Sequence, residues 1–595
     1  MLKILLNGNA LILPDDIQIN LVYENPLFLV DRIPAAHTLS FNLPAVHSNL
    51  AQLGHPERLA SNMKFLEYEN CQIYFGPRLI LSGVLVVKKF NKDIQVFVRE
   101  SAYPDNVKLP MYEMELDRYD FGTGDRFAPD FDTDPDFAYN YRELIESSVS
   151  GSEEFVAAPV RILDTDGPFL EDQNEIPASS GYYASSIQYL NFWNANAGDY
   201  ILPTASTKHC VIFPFPFLHY VVDQMFGDTL KSNPFSTGEL AKLVLCNFFH
   251  PQYNSELFTE YHGILLDSDD TVDDVENYFE LSSFSPSMKS NEMFKQVLKM
   301  ICATLFIRGG KFEILFNQNI IDDDEQVNWT NKLIGDLEIN QVPGKNYRYG
   351  YAQYNDHYPT INLEQVADID ELHDQTVAQD EEKDFYVTGS NQVITMKMRT
   401  KAMPTDPDRF DYLVKSSGYA GNEAADNTYQ VVSDIAPLNM SIHDYWWENA
   451  KAPTLDFEQW YVSEWKGDRL VRHDRPAIML FHGLQSTLYD NIPPEQYPFI
   501  SGHNINPFGA KIGDLSLQWE GDDGLLETYH KPFLAWVEKD KVGIRNSFLL
   551  TADDLRSLDL TKKHYVRCKN FYIERLEVTI HFDHISPASV TMVEA

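Results

Sequence analysis

The sequence is poor in cysteine, with 5 among 595 residues, and no two of them form a CxxC pair. An odd number of widely spaced cysteines indicates neither a disulfide framework nor a zinc ribbon. We therefore expect reduced, buried thiols in a protein made in the cytosol. The five are Cys71, Cys210, Cys246, Cys302 and Cys568.

Short enzyme motifs are also missing. The sequence contains no HExxH, no Walker A loop, no GxGxxG and no GxSxG nucleophile elbow. Phe481-His482-Gly483 is only faintly similar to the oxyanion loop of α/β-hydrolases, and we expect a strand that ends in a turn there. His581 and His584 lie in a β-like stretch at an odd spacing, which places side chains on opposite faces and keeps them from sharing a metal. We therefore predict no enzyme activity, no catalytic residue, no cofactor and no metal.

Basic residues are few compared with acidic ones. There are 88 Asp and Glu against 47 Lys and Arg, a formal charge of −41. Such a chain repels polyanions, so we do not expect a surface that grips DNA. Two readings stay open: an ordinary solvated acidic surface, or a lining past which DNA moves without binding.

Long apolar runs are missing as well. The N-terminal stretch reaches the polar Asn7 before a signal-peptide core can form. The longest apolar run, from Cys210 to Phe226, is interrupted by Pro214, Pro216 and His219 and is too broken to span a bilayer. We expect a soluble product with no membrane insertion.

Apolar residues make up 44% of the chain and aromatic residues 13%, which is ample for packed cores in three or four domains. The first part of the chain reads as β structure, with alternation at Leu39, Phe41 and Leu43. Further strands are predicted from Cys71 to Phe75, from Leu79 to Phe90 and from Ile94 to Val98.

The middle of the chain changes to a helical period. One helix is predicted with its buried face at Leu218, Val221, Val222, Met225 and Phe226, with Pro216 in its first turn and Gly227 at its C-terminal end. Glu239 to Phe248 reads as a second, short helix. A third begins at a Ser290 cap, ends at Gly309-Gly310 and precedes a strand from Lys311 to Phe316. Its predicted buried face is Phe294, Val297, Leu298, Ile301 and Leu305.

Two further clusters have open interpretations. Asp132, Asp134, Asp136 and Glu143 match the oxygen spacing of a calcium loop, but Phe137 replaces the glycine of its sixth position, so an acidic solvated loop is the alternative. Seven aromatic residues within 445–465 could stack on sugar rings if exposed, or form a core or subunit interface if buried. They are Tyr445, Trp446, Trp447, Phe457, Trp460, Tyr461 and Trp465.

Several segments resemble, in chain order, those of the phage tail hub family. The opening, Ile17 to Tyr23 and Thr38 to His55, resembles the start of these proteins. Phe215 to Phe226, Leu240 to Asn247 and the stretch from Phe284 to Leu315 resemble their middle. The closing residues resemble their last domain. These are Leu515-Ser-Leu-Gln-Trp519-Glu-Gly521, Tyr529 to Trp536, Leu549 to Leu560, Phe571 to Glu574 and Leu576 to Ile580.

The resemblance implies a multidomain, β-rich α+β protein with tube-like antiparallel β-barrel domains and a smaller helix-containing middle. The implied domains are an N-terminal barrel-like domain with an acidic loop (1–163), a mixed α/β middle domain (164–335), a second β-rich region (336–505) and a C-terminal β domain (506–595).

The same resemblance implies a homotrimeric ring, because three subunits with two similar domains each present six contacts to a six-fold tube. The expected neighbours are a tail tube or distal tail ring protein, a tip spike or fibre and a tape-measure protein, with DNA passing through unbound during ejection. The protein would be assembled in the host cytoplasm and reside in the virion tail. The alternatives are a tail-associated cell-wall or polysaccharide hydrolase and a receptor-binding tip protein.

Overall fold

The structure is a computed structural model. It describes residues 1–29, 36–55, 67–100, 104–120, 144, 146–151, 153–162, 188–191, 193–194, 199–200, 214–247, 249–250, 278–308, 311–351, 364–366, 382–387, 392–398, 410–415, 428–433, 435–437, 441–442, 453–457, 461–462, 464–466, 469–471, 476–486, 496–506 and 510–595.

The largest element is a 15-stranded sheet, here named the terminal sheet, that combines strands from both ends of the chain. Its strands pair antiparallel, except for one parallel pair between Gln326–Asn328 and Lys563–Val566. The strands are Leu2–Leu6, Asn9–Ala10, Gln18–Glu24, His37–Thr38, Phe41–Pro44, Glu67–Phe75, Arg78–Phe90, Asp93–Glu100, Gln326–Asn328, Leu333–Ile334, Ile339–Val342, Lys541–Phe548, Lys563–Val566, Lys569–His581 and Ala588–Glu594.

One strand pair joins the two ends of the chain. Gln18–Glu24 runs antiparallel to Lys569–His581, and Ile19 faces Ile580 across the pair. Both side chains are buried in the same apolar core. Burial of such a side chain stabilises a fold by about 1.5–3 kcal/mol, so the alternating apolar pattern of each strand explains why they pair in this register.

The terminal sheet is open. It ends at Asn9–Ala10 on one side and at Leu333–Ile334 and Ile339–Val342 on the other, and these ends do not pair with each other. The β-rich α+β class is confirmed, but the prediction of a barrel is wrong for the described residues, in which no sheet closes on itself. The sheet draws strands from all four predicted domains, and the boundaries of these domains stay a prediction.

A second apolar core, the middle core, draws its buried residues from between Val107 and Leu525. The predicted helix at Leu218–Phe226 is confirmed, with its whole predicted face buried and Gly227 at its C-cap. Pro216 precedes this helix in a short strand instead of lying in its first turn. The third helix spans Ser290–Met300, and its N-cap is Lys289.

Two sequence predictions in the middle core are wrong. Glu239 to Phe248 is not one helix, because a 3-10 helix ends at Lys242 and Leu243–Asn247 is a strand whose five residues are all buried. Leu305 is buried, but it lies in the strand Ala303–Arg308, since the helix ends at Met300 and Cys302 has a φ of 48° that breaks it. The strand Ala303–Arg308 forms a hairpin with the strand Lys311–Phe316. Of these two strands, the sequence predicted only Lys311–Phe316.

The α-helices of the described residues are His47–Gln52, Asp105–Lys108, Leu218–Phe226, Ser290–Met300, Asn317–Asp322, Lys531–Glu538 and Ala552–Arg556, with a π-helical turn at Leu526–His530. The 3-10 helices are Pro26–Phe28, Met111–Glu113, Gly227–Thr229, Pro234–Ser236, Gly238–Lys242, Leu281–Phe284 and Thr330–Lys332.

Further short strands lie outside the terminal sheet. They are Arg118–Asp120, Phe155–Val156, Val160–Ile162, Gln188–Leu190, Trp193–Asn194, Asp199–Tyr200, Phe215–Pro216, Leu243–Asn247, Phe249–His250, Tyr278–Glu280, Ala303–Arg308, Lys311–Phe316, Asn346–Tyr351, Glu364–Val366, Glu382–Val387, Gln392–Met398, Phe410–Lys415, Thr428–Ser433, Ala436–Pro437, Ser441–Ile442, Pro453–Phe457, Tyr461–Val462, Glu464–Lys466, Arg469–Val471, Pro476–Ser486 and Gln496–Ser501.

Candidate functional site

Two of the sequence clusters cannot be placed. The calcium-like set Asp132, Asp134, Asp136 and Glu143 lies outside the described residues. So do the side chains of the aromatic cluster at 445–465. Both interpretations of each cluster therefore stay predictions.

The expectation that His581 and His584 point to opposite faces is wrong. Their rings stack with centroids 4.2 Å apart, because the strand ends at His581 and the chain then turns back. Each ring has its own partner: His581 Nε2 lies 2.9 Å from Ser586 Oγ, and His584 Nδ1 lies 2.7 Å from Asp583 Oδ1. In the part of the chain that the structure describes, no group of three or more His, Cys, Asp or Glu could hold a metal ion.

The Phe481-His482-Gly483 segment does not end a strand. The strand runs through Pro476–Ser486 and has a bulge between Phe481 and Leu484, where Gly483 adopts a φ of 71°. A glycine suits this position because a side chain disfavours positive φ. The bulge turns His482 into the middle core, where its ring packs 5.9 Å from that of Phe499.

His482 belongs to a buried polar centre that sequence reasoning missed. We name this the histidine centre, formed by Glu239, His482 and His503. His482 is 8% exposed and His503 is 2% exposed. Both ring nitrogens of His482, Nε2 of His503 and Oε2 of Glu239 are buried without a hydrogen-bond partner. Buried polar atoms are usually paired, so four unpaired atoms in one centre distinguish this part of the fold.

Gly513 shows how close these groups lie. A Cβ atom at Gly513 would be 3.1 Å from Oε2 of Glu239 and 3.4 Å from Nδ1 of His482. The other carboxylate oxygen of Glu239 accepts a 2.6 Å bond from Lys242. The absence of a side chain at Gly513 therefore leaves room for the carboxylate and the imidazole to approach each other.

Burial keeps the two imidazoles neutral. It lowers the pKa of His482 from 6.5 to about 4, and the positive charge of Lys242 acts in the same direction. Burial and, to a smaller extent, the charge of a protonated His482 likewise lower the pKa of His503 to about 3. A neutral imidazole is favoured because an ion loses its hydration in an apolar core.

A third apolar cluster, the junction, links the terminal sheet to the middle core. Its buried residues come from the N-terminal segment, the hairpin at 303–316, the helix at 531–538 and the last long strand. They are Leu27, Cys302, Phe306, Ile320, Phe533, Val537 and Tyr572. The Tyr572 hydroxyl donates a 2.8 Å bond to the carbonyl of Ile320, which fixes the strand against the helix at 317–322.

Ion pairs reinforce this junction. Arg308 donates to Glu313 at 3.0 Å, to Thr561 Oγ1 at 2.9 Å and to the carboxylate of Asp559. Lys231 donates to Glu313 at 2.7 Å. Burial opposes the ionisation of Glu313, but the bonds from Lys231 and Arg308 hold its pKa below the usual value. The hairpin is therefore tied to residues near the end of the chain by charge as well as by apolar contact.

The cysteine prediction is confirmed for three residues. Cys71, Cys246 and Cys302 are free and buried, whereas Cys568 is free and exposed in a hairpin turn. Cys568 has a φ of 76° and lies in the two-residue turn between Val566 and Lys569. Cys210 lies outside the described residues.

No helix among the described residues has the length and apolar character needed to cross a membrane.

Comparison with known proteins gives only distant likenesses. No protein-family model matches the sequence, and no curated protein matches it. Among solved structures, the 43 kDa tail protein of prophage MuSo2 from Shewanella oneidensis is 5% identical with a TM-score of 0.27, over 100% of this chain and 96% of that one. A tail protein from Neisseria meningitidis MC58 is 6% identical with a TM-score of 0.23, over 100% and 96%. At such TM-scores neither likeness establishes a shared fold or function.

Proposed function

We propose that the chain is a structural subunit of a phage tail or a tail-derived particle, and that it forms the hub ring between the tail tube and the tip. One observation carries the proposal. The two hub-like stretches from opposite ends of the sequence, near 17–54 and near 571–580, come together as neighbouring strands of one sheet. Segments that resemble one family in order and also pair in space are more specific than apolar patterns taken singly.

The middle of the chain supports the same proposal. The hub-like stretch from Phe284 to Leu315 contains a helix followed by a β-hairpin, which is the order of elements that the resemblance implies. The junction holds this hairpin against the terminal sheet through apolar contacts, and the ion pair between Arg308 and Asp559 ties it to the end of the chain. A subunit that transmits force along a tail needs such a firm connection between its parts.

Ring formation is the first test of the proposal. We expect a homotrimer, which mass photometry of the purified protein should resolve from monomer and dimer. Negative-stain images should show a ring, and particles from which this gene is deleted should lack the distal end of the tail. A chain that stays monomeric inside the assembled particle would refute the ring.

The charge supports passage of DNA without binding. With a formal charge of −41, a channel lined by this subunit would repel DNA and allow it to slide. The proposed neighbours are a tail tube or distal ring protein, a tip spike or fibre and a tape-measure protein. A structure of the ring should show mainly Asp and Glu facing the channel, and a channel of Lys and Arg would contradict the proposal.

The proposal includes the absence of enzyme activity. A hydrolase needs a nucleophile or acid, a base and a stabilising group in one accessible site. The histidine centre has titratable groups, but it is buried and its histidines are neutral. Zymograms with host cell walls should show no clearing. Clearing that survives purification and disappears on changing one Asp or Glu would instead identify a tail-associated hydrolase.

A further inference from the structure

The histidine centre joins two separate elements. His482 lies on the bulged strand Pro476–Ser486, whereas His503 lies on the segment that follows the neighbouring strand. We name residues 502–506 and 510–525 the clasp. Backbone groups of Ser501, His503 and Ile512 lie close enough to the His482 ring to oppose part of the lowering of its pKa. The two imidazoles lie close enough for a charge on His482 to act on the pKa of His503.

The clasp is held together mainly by its own bonds. The Asn504 amide donates to the carbonyl of Gly513 at 3.0 Å and to Asp523 at 2.7 Å. Lys511 forms an ion pair with Asp523 at 2.8 Å, and Leu525 N–H donates to the carbonyl of Gln518 at 2.8 Å. Movement away from the strand keeps these internal bonds, and it breaks the bond that the Tyr351 hydroxyl donates to the carbonyl of Leu517.

The clasp adds apolar residues to the middle core, next to the polar histidine centre. Leu515, Leu517 and Trp519 of the clasp are each no more than 1% exposed and belong to the middle core. At the centre stand His482 and His503, which lack a partner for three of their four ring nitrogens. No bond between these side chains compensates for the hydration that a charged imidazole would lose.

The charged and titratable groups around the pair decide how it responds to acid. The 3-10 helix at 238–242 supplies Glu239 and Lys242, which are paired with each other. The clasp supplies His503 and the exposed Lys511, Asp514 and Asp523, which form their own ion pairs. The following helical turn supplies Tyr529, which lies near Glu239. Lys242 forms an ion pair with Glu239, and Lys511 is shared by Asp514 and Asp523. None of these carboxylates is bonded to a ring nitrogen of His482 or to Nε2 of His503.

We propose that the clasp is an acid-sensitive element, which leaves the strand Pro476–Ser486 when His482 and His503 become protonated. Each imidazolium would lose its hydration in the closed state, and the two positive charges would repel each other across the contact. Opening returns both rings to water. Acid would thereby uncover the apolar residues Leu515, Leu517 and Trp519 as a surface that is hidden at neutral pH.

The sign of the effect follows from proton linkage. The closed state binds protons more weakly than the open state, since the pKa of each ring is depressed below 6.5 when it is buried. Closure is thus fully stable above pH 6.5, and it weakens as the pH falls from there toward the depressed values of about 4 and about 3.

Hydrogen exchange of the full-length protein, measured by mass spectrometry, tests this proposal. Between about pH 7.5 and about pH 5, after correction for intrinsic rates, protection of residues 510–525 should fall at least about tenfold. Protection of the strand Gln18–Glu24 should change less. An unchanged protection of the clasp in the wild-type protein would overturn the proposal.

Variants assign the effect to the histidines. His482→Gln and His503→Gln should each remove about half of the response on a logarithmic scale, and the double variant should remove nearly all of it. The single variants keep the test decisive if the double variant does not fold. His564→Gln is the matched control, because His564 is a buried histidine with a pKa lowered to about 4 in the other core. An acid response that persists in both single variants, or that disappears in the control, would refute the assignment.

Discussion

Two buried amides show how differently the terminal sheet and the middle core treat polar groups. Asn25, which follows the internal strand Gln18–Glu24 of the terminal sheet, is 0% exposed, and its side chain makes three hydrogen bonds. Its Nδ2 donates to the carbonyls of Leu560 and Ile573 at 2.8 Å each, and its Oδ1 accepts from Leu27 N–H at 3.0 Å. Gln518, in the middle core, is 1% exposed, and neither atom of its amide has a partner among the described residues.

Asn25 helps to specify the fold through its hydrogen bonds, whereas Gln518 is buried without contributing any. Asn25 connects the first 30 residues to two points near the end of the chain, so its bonds fix the position of the N-terminal segment. Gln518 gains nothing comparable from its burial. At position 518 the middle core therefore gains stability only from packing, whereas at position 25 satisfied polar contacts add to the apolar core of the terminal sheet.

The largest effect should follow from removing apolar packing in the middle core. Phe294 is 0% exposed and packs edge-on against Phe226, with ring centroids 5.2 Å apart. Phe294→Ala should lower the free energy of unfolding by about 3–5 kcal/mol, because it deletes the ring and leaves a cavity. Chemical denaturation measures this loss. The control is Glu292→Ala on the exposed side of the same helix, and equal losses in the two variants would show that the helix is oriented differently.

An intermediate effect should follow from Asn25→Ala. The change leaves two carbonyls and one N–H buried without a partner, so we expect a loss of about 2–4 kcal/mol. Asn20→Ala is the control, because Asn20 is an exposed residue of the same sheet that makes a single side-chain bond, to Thr579. Thermal unfolding of both variants gives the comparison. A loss below about 1 kcal/mol at Asn25 would mean that water replaces its bonds.

The smallest effect should follow from Gln518→Met. The replacement keeps the length of the side chain and removes an amide that has no partner, so stability should change by no more than about 1 kcal/mol and can increase. Denaturant titration at neutral pH tests this expectation. A loss above about 2 kcal/mol would indicate that the amide is satisfied by buried water, and would remove the contrast with Asn25.

The sequence predicted those parts of the fold that depend on local periodicity. The apolar spacing from Leu218 to Phe226 is sufficient for a helix, and the run from Lys311 to Phe316 is sufficient for a strand. The helix prediction was wrong at Leu243–Asn247, because a short apolar run is compatible with a buried strand as well as with a helix. Pairing with the antiparallel strand Pro476–Ser486 stabilises the strand. That partner lies more than 200 residues away and leaves no local signal.

The polar sites were missed for a related reason. The histidine centre depends on a bulge that turns His482 inward and on a glycine that leaves room beside it. His581 and His584 meet because the strand ends between them. Both arrangements depend on where a regular strand is interrupted, and sequence patterns give the position of such interruptions least reliably.

The pairing of Gln18–Glu24 with Lys569–His581 also determines when the protein can fold during its synthesis. A ribosome must release residues near 581 before the strand at 18–24 acquires this neighbour. Until then, the early strands expose an unpaired edge and part of their apolar core, which makes the nascent chain prone to aggregation. A chain that terminates early cannot complete the sheet, because the strand Gln18–Glu24 then lacks its partner. The sheet can therefore be completed only after nearly the whole chain has been synthesised.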